Sequence, residues 1–223
     1  MELIVNRLSR KEIQSKKRIG SGMYSEVYNT QEGVAVKLID DFRLSQWITE
    51  KERYDEIQTL KDLTGCGVTP YFFSYDPLER AIYMEYIDGE CPDIDWLQYK
   101  SKHFLNQFWK KLEGALLHVV SFGYMPADLH SGNMIYSEGN IILIDLGRYV
   151  KVDKLMRLHG EYSNKKELYL PQINIMHESI GRSNTKGDLL IPRNKYDEVL
   201  KNVNEAIHRK VSEVLGYAEP ISQ

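Results

Sequence analysis

A chain of 223 residues, 42% hydrophobic and 27% charged, has the composition of a folded globular protein: one large domain or two small lobes. A formal net charge of −3 offers no basic excess to neutralise phosphates, so no nucleic-acid partner is expected. Cys66 and Cys91 make no disulfide framework or C-x-x-C zinc motif, and no apolar run approaches the ~20 residues of a membrane helix, so no membrane partner is expected.

Residues 1–17 lack the apolar core of a secretory signal. The expected location is cytoplasmic, or inside a host cell after secretion by a route not readable from sequence. The first organised stretch is Gly20-Ser21-Gly22, followed by Ser25 and Val27. Glycines let a backbone come close to an anion, and the amides of a tight hairpin turn can bond its oxygens. Glu26 to Tyr28 continues as a strand, which disfavours a dinucleotide fingerprint, since that motif opens a helix. After a turn at Gly33 comes V-A-V-K-L-I, residues 34–39, an apolar strand with Lys37 inside it. An ammonium there is costly unless its charge is paired.

A helix is expected over residues 44–63, whose stripe is Trp47, Ile48, Tyr54, Ile57, Leu60 and Leu63 and which Gly65 and Gly67 end. V-A-V-K resembles the kinase strand whose lysine pairs with a helix glutamate, and that resemblance makes this helix the source of the partner. Glu50, Glu52 and Glu56 compete for Lys37. Glu56 adjoins Ile57 on the inward side and is the choice, with Glu52 one turn earlier as runner-up. Strands over 68–75 and 81–87 complete a five-stranded antiparallel pattern with one helix after the third strand. Met84 falls in the last strand and is expected to be buried.

Beyond Asp88-Gly89, a short helix over 93–100 precedes a longer one over 104–122, with Leu105, Phe108, Leu112, Leu116 and Val119 or Val120 on one side. Asp128 and Asn133 follow, then an apolar strand, 141–144, that delivers Asp145 and Gly147. An acid, an amide and a second acid on loops framed by strands can hold a hydroxyl nucleophile and a divalent metal together. Phosphoryl transfer needs that set, because positioning and charge neutralisation do most of the catalysis. The remainder reads as a partly helical stretch, 161–179, a polar loop, 181–188, and a final helix over 195–215 with Val199, Val203, Ile207, Val211 and Val214 spaced along it.

From Arg18 to Gly147 these stretches resemble, in order, the motifs of protein kinases. The glycine pair resembles the glycine-rich loop, with Ser25 for its third glycine. V-A-V-K resembles the V-A-I-K strand. Met84 to Gly89 resembles the hinge, Asp128 to Asn133 the catalytic loop, and Asp145-Leu146-Gly147 the metal loop D-F-G. The resemblance implies an α+β, bilobal kinase-like fold in one domain: an N-lobe over about 1–87, a hinge over about 84–90, and a reduced, mainly helical C-lobe over about 91–223. It implies ATP and Mg2+ as cofactors. Gly20, Ser21, Gly22, Ser25, Val27, Ala35 and Lys37 would line the nucleotide, with Met84 behind the base and Glu85 and Ile87 giving backbone contacts. Asp128, Lys37, Glu56 and His130 would serve catalysis, and Asn133 and Asp145 would hold the metal.

Departures from the pattern narrow the expectation. Pro126-Ala127-Asp128 stands for H-R-D, and A-P-E is absent, so switching by loop phosphorylation is not expected; Arg148 and Arg157 lie near in sequence but not at the motif position. His130 replaces the lysine of serine/threonine kinases, and D-x-H-x-G-N is also similar to aminoglycoside and choline phosphotransferases and ABC1-type atypical kinases. The small size resembles RIO-type kinases and compact bacterial effector kinases. The leading expectation is a serine/threonine kinase with a protein substrate, competent unmodified or switched by an activating partner. A small-molecule phosphotransferase and a silent nucleotide-binding pseudokinase are the alternatives.

Overall fold

The computed structural model describes residues 6–22, 24–39, 50–126, 128–152 and 179–215, with backbone alone for 50–55 and 215. The chain divides into two compact units that adjoin at Asp88 and Gly89.

The first unit opens with a helix the sequence reading did not anticipate, α1, Arg10–Gln14. Ser9-Arg10-Lys11-Glu12 is a capping box: the Ser9 hydroxyl accepts from the Glu12 N–H, and the Glu12 carboxylate accepts from the Ser9 N–H at 2.8 Å. Five residues are too few to hold a helix alone. Burial of Ile13, 0% exposed, fastens it to the sheet.

Five strands follow in an antiparallel sheet: β1 Lys17–Ser21, β2 Ser25–Gln31, β3 Val34–Ile39, β4 Phe72–Asp76 and β5 Ala81–Glu85, in the spatial order β1-β2-β3-β5-β4. β4 starts later than the expected residue 68. Side chains tie the entry to β4 to the preceding helix end. Thr69 Oγ1 donates to the Leu63 carbonyl, and Thr64 Oγ1 accepts from Phe72 N.

Cross-strand partners lie on one face of a sheet, so the register sorts the side chains. Tyr28, Val36 and Tyr83 are directly opposed, and with Val34, Leu38, Ala81 and Ile13 they form the apolar core of this unit. Val27, Lys37 and Ile82 are opposed on the other face, as are Asn29, Ala35 and Met84. Helix α2, Glu50–Asp62, buries Ile57 and Leu60, and Leu63 just beyond it is also buried. Of the expected stripe, Trp47 and Ile48 lie outside the described residues, as does the Tyr54 side chain.

The second unit begins with Gly89 set against a strand edge. A Cβ there would come within 2.5 Å of the Tyr136 carbonyl, and Glu90 and Tyr136 exchange both backbone hydrogen bonds. Helix α3, Ile94–Leu97, is capped by Asp93, and α4, Lys102–Ser121, by Ser101. Val119 and Val120 are both buried on α4, together with Trp109, which the expected stripe omitted. Helix α5, Arg193–Leu215, packs along α4 and buries Val199, Val203 and Ile207, while Val214 is 49% exposed. Trp109 Nε1 donates to the Leu190 carbonyl at 2.9 Å. Two short ribbons complete the unit: β6 Tyr124–Met125 with β9 Val150–Lys151, and the hairpin β7 Met134–Ser137 with β8 Asn140–Leu143. The loop expected over 181–188 is organised by Asn184, whose Oδ1 accepts from Lys186 N and Asp188 N. Most of the stretch expected over 161–179 lies outside the described residues, as does Arg157. Among the described residues no helix is long and apolar enough to cross a membrane.

Candidate functional site

In the first unit the glycine pair ends β1 and enters the turn to β2, where Gly22 N donates to the Ser25 carbonyl at 2.8 Å. Neither glycine has a positive φ. A Cβ at Gly20 would lie 3.7 Å from Val27, and one at Gly22 would lie 3.5 Å from Ser25 Oγ, both ordinary contacts. The fold itself therefore does not demand glycine at either position. What glycine leaves there is uncovered backbone, with Ser21 and Gly22 exposed and Ser25 half-buried.

Val27, Ala35, Lys37 and Met84 all belong to the sheet face opposite the apolar core. Met84 is half-buried, not buried as expected, at the end of β5 beside the exposed Glu85. Lys37 is 8% exposed, and its Nζ donates to Glu56 Oε1 at 2.5 Å. The pairing solves the cost of an ammonium in an apolar strand, and α2 supplies the carboxylate. The side chains of Glu50 and Glu52 lie outside the described residues.

At the end of β5, Glu85 N donates to the Tyr71 carbonyl at 2.8 Å, while the Tyr71 N–H turns to the Glu85 carboxylate at 3.0 Å. The Glu85 carbonyl is thereby relieved of the Tyr71 N–H that a regular ladder would give it. Ile87 is half-buried two residues on.

In the second unit the backbone itself marks two residues. Among the described residues, four non-glycines have positive φ: Arg80, Asp128, Glu138 and Asp145. Arg80 sits in the turn between β4 and β5, and Glu138 precedes Gly139 in the β7–β8 hairpin, where such angles are usual. The other two, Asp128 at 59° and Asp145 at 56°, are the two acids singled out from the sequence. A left-handed conformation costs an L-residue about 1–2 kcal/mol, and aspartate is among the residues that tolerate it.

Asn133, which is 7% exposed, bonds Asp128 and the residue that precedes Asp145. Its Nδ2 donates to the Asp128 carbonyl at 2.8 Å, and its own carbonyl accepts from Ile144 N, next to Asp145, at 2.9 Å. His130 works on the same turn. Its N–H donates to the Asp128 carbonyl at 3.2 Å, and its Nδ1 accepts from Gly132 N at 3.1 Å. The Cys91 thiol donates to the Ser131 carbonyl at 3.2 Å, and burial, aided by Asp93, pushes that thiol's pKa up.

Two contacts were not anticipated. The Arg148 guanidinium lies 3.6 Å from Asp128 Oδ2 through Nε. The Tyr149 hydroxyl is buried without a hydrogen-bond partner among the described residues, and burial first, then the Asp145 charge, pushes its pKa far up, keeping it a neutral donor. Neither follows from spacing: Arg148 is three residues past Asp145 in the chain, and only the fold brings it to Asp128.

The donors suit a magnesium nucleotide. With Nδ2 of Asn133 spent on Asp128, its Oδ1 remains to ligate, and the Asp145 carboxylate adds a second hard oxygen. Magnesium commonly takes one or two carboxylates, keeps several waters and shares substrate phosphates.

Residues 70–162 match the ABC1 atypical kinase-like domain. The match runs from β4 and β5 through α3, α4, the Asp128 turn and the Asp145 loop, while the glycine pair and Lys37 precede it. The protein is thus kinase-like in this segment, and its α+β build with a five-stranded antiparallel sheet agrees with that. In this kinase-like domain the match covers Asp128, Asn133 and Asp145.

Proposed function

We propose that this kinase-like protein transfers a phosphoryl group from magnesium-bound ATP to a serine or threonine hydroxyl of a protein. The observation that carries the reading is the Asp128–Asn133–Asp145 arrangement: two acids on left-handed backbone outside any hairpin turn, with the buried Asn133 bonding the Asp128 carbonyl through its side-chain amide and Ile144, the residue before Asp145, through its backbone carbonyl. Strained backbone that the surroundings over-determine is typical of functional positions.

The nucleotide supplies the γ-phosphoryl group: the acceptor oxygen bonds to its phosphorus, the bond to the bridging oxygen breaks, and the acceptor proton leaves to Asp128. Asp128 orients the hydroxyl and takes that proton. Asn133 Oδ1 and Asp145 hold the metal. Lys37, oriented by Glu56, neutralises phosphate charge, and the turn formed by Gly20, Ser21, Gly22 and Ser25, with Ser21 and Gly22 exposed, lets the backbone come close to the phosphates. Val27, Ala35 and Met84 offer the apolar face for the base, with Glu85 and Ile87 backbone for its edge. His130 shapes the turn that carries Asn133. A partner that prefers Glu56 docked on Lys37 would raise activity, and only by that preference.

A second reading, transfer to a small molecule, draws on D-x-H-x-G-N with His130 bonded to Gly132. Pure protein incubated with labelled ATP and magnesium, alone and with a lysate, separates the readings. Labelled protein that disappears in Asp145→Ala, with circular dichroism unchanged, is the expected result. Asp128→Asn should lower the rate about 10²–10⁴-fold, the usual worth of a positioned base. Label in small molecules alone would favour the second reading, and no transfer at all would leave a pseudokinase.

A further inference from the structure

We propose that Arg148 is a positioning residue for Asp128, supplying from the metal loop the cation that the catalytic turn lacks; this rests on the phosphoryl-transfer reading above. The turn's own residues do not provide that cation. The position before Asp128 is Ala127, and two after it is His130, whose Nδ1 accepts from the Gly132 N–H. The His130 ring is packed so closely on the turn that a Cβ at Gly132 would lie 3.0 Å from it.

Arg148 instead brings its Nε to 3.6 Å from Asp128 Oδ2. Its backbone is pinned although its side chain is 74% exposed. Leu146 and Tyr149, on either side in sequence, are buried, Tyr149 N donates to the Leu146 carbonyl at 3.0 Å, and Val150 pairs with Met125 in the β6–β9 ribbon. The guanidinium therefore projects from a pinned segment. A pair this exposed adds little to folding, typically about 0–1 kcal/mol, so its consequence lies in how the carboxylate is held. Engaging Oδ2 restrains the Asp128 rotamer and leaves Oδ1 to receive the acceptor proton. Arginine suits the task, being charged at every working pH and planar in its donors.

Steady-state kinetics of the wild type, Arg148→Ala, Arg148→Lys, Asp128→Asn and the Asp128→Asn/Arg148→Ala pair test this. Arg148→Ala should lower kcat about 10- to 100-fold, the scale of a misplaced catalytic group, with KM for ATP within about twofold. Arg148→Lys should recover most of the loss. In the Asp128→Asn background, Arg148→Ala should add little, because the two act as one unit. An active wild type indifferent to Arg148→Ala, or a full additional loss in the double variant, overturns this inference alone. A wild type without transfer, or one unaffected by Asp128→Asn, overturns the phosphoryl-transfer reading and this inference with it.

Discussion

Lys37 and Glu56 meet at 2.5 Å with only 10% and 12% of their side chains exposed, whereas Arg148 and Asp128 meet at 3.6 Å with 74% and 36% exposed. The first pair is built into a sheet face and a helix. Its charges are removed from water, and each depends on the other. The second stands at the surface, where water screens it and the fold scarcely notices it. Placement of a charge and stability of the fold are thus coupled in the first pair and nearly separate in the second.

The largest effect expected follows from breaking the buried pair. Glu56→Ala should destabilise the protein by about 3–5 kcal/mol, the usual cost of removing one partner of a buried pair, read from urea unfolding. Replacing both charges, as in Lys37→Met with Glu56→Leu, should bring stability back toward wild type while phosphoryl transfer stays lost. If Glu56→Ala costs under about 1 kcal/mol, Lys37 reaches water or another acceptor easily, and the contrast between the pairs collapses.

A pair of intermediate burial sharpens the comparison. Lys195 on α5 meets Glu113 of α4 at 3.2 Å, with 22% and 14% of their side chains exposed. Burial pulls the Lys195 pKa down, but hydrogen bonds from Glu198 and Glu113 outweigh it, and the net shift is upward. The folded state therefore holds this proton more tightly than the unfolded chain. That stabilisation is complete below the unfolded lysine value of about 10.4 and is lost as pH rises through the folded value. Urea midpoints should fall more steeply above about pH 10.4 in the wild type than in Glu113→Gln. Equal slopes would mean that Glu113 contributes nothing to that linkage.

The smallest effect expected is on folding in Arg148→Ala. Its unfolding free energy should stay within about 1 kcal/mol of wild type, as for other exposed pairs. A larger loss would mean that Arg148 supports the metal loop as structure, and any fall in its turnover would then need correction for unfolded protein.

Much of the candidate site could be picked out in the chain because its residues stand out by local pattern. Lys37 declared itself as a charge in an apolar strand, and Glu56 as the glutamate beside an inward isoleucine. Asp128, Asn133 and Asp145 lie within eighteen residues, close enough for spacing to carry meaning. The capping box at Ser9 and Glu12 was equally local and could have revealed α1, but a five-residue helix has no apolar period to draw the eye. The late start of β4 was harder to read, since Val68 to Tyr71 look extended while Thr69 bonds the preceding helix end through its side chain and Tyr71 N turns to the Glu85 side chain rather than to its carbonyl.

The sequence by itself determined the order of strands and helices, the buried stripe of α4 and the candidate acids, amide and lysine, because periodicity and residue type act over a few positions. Tertiary structure decided which face of the sheet each residue serves. A register shift of one would have sent Val27, Ala35, Lys37 and Met84 into the apolar core and Tyr28, Val36 and Tyr83 out of it. It also decided that Asp128 and Asp145 adopt left-handed backbone and that Arg148 reaches Asp128 across twenty residues of chain. Such pairings depend on long-range hydrogen bonds and packing, and residue spacing alone contains neither.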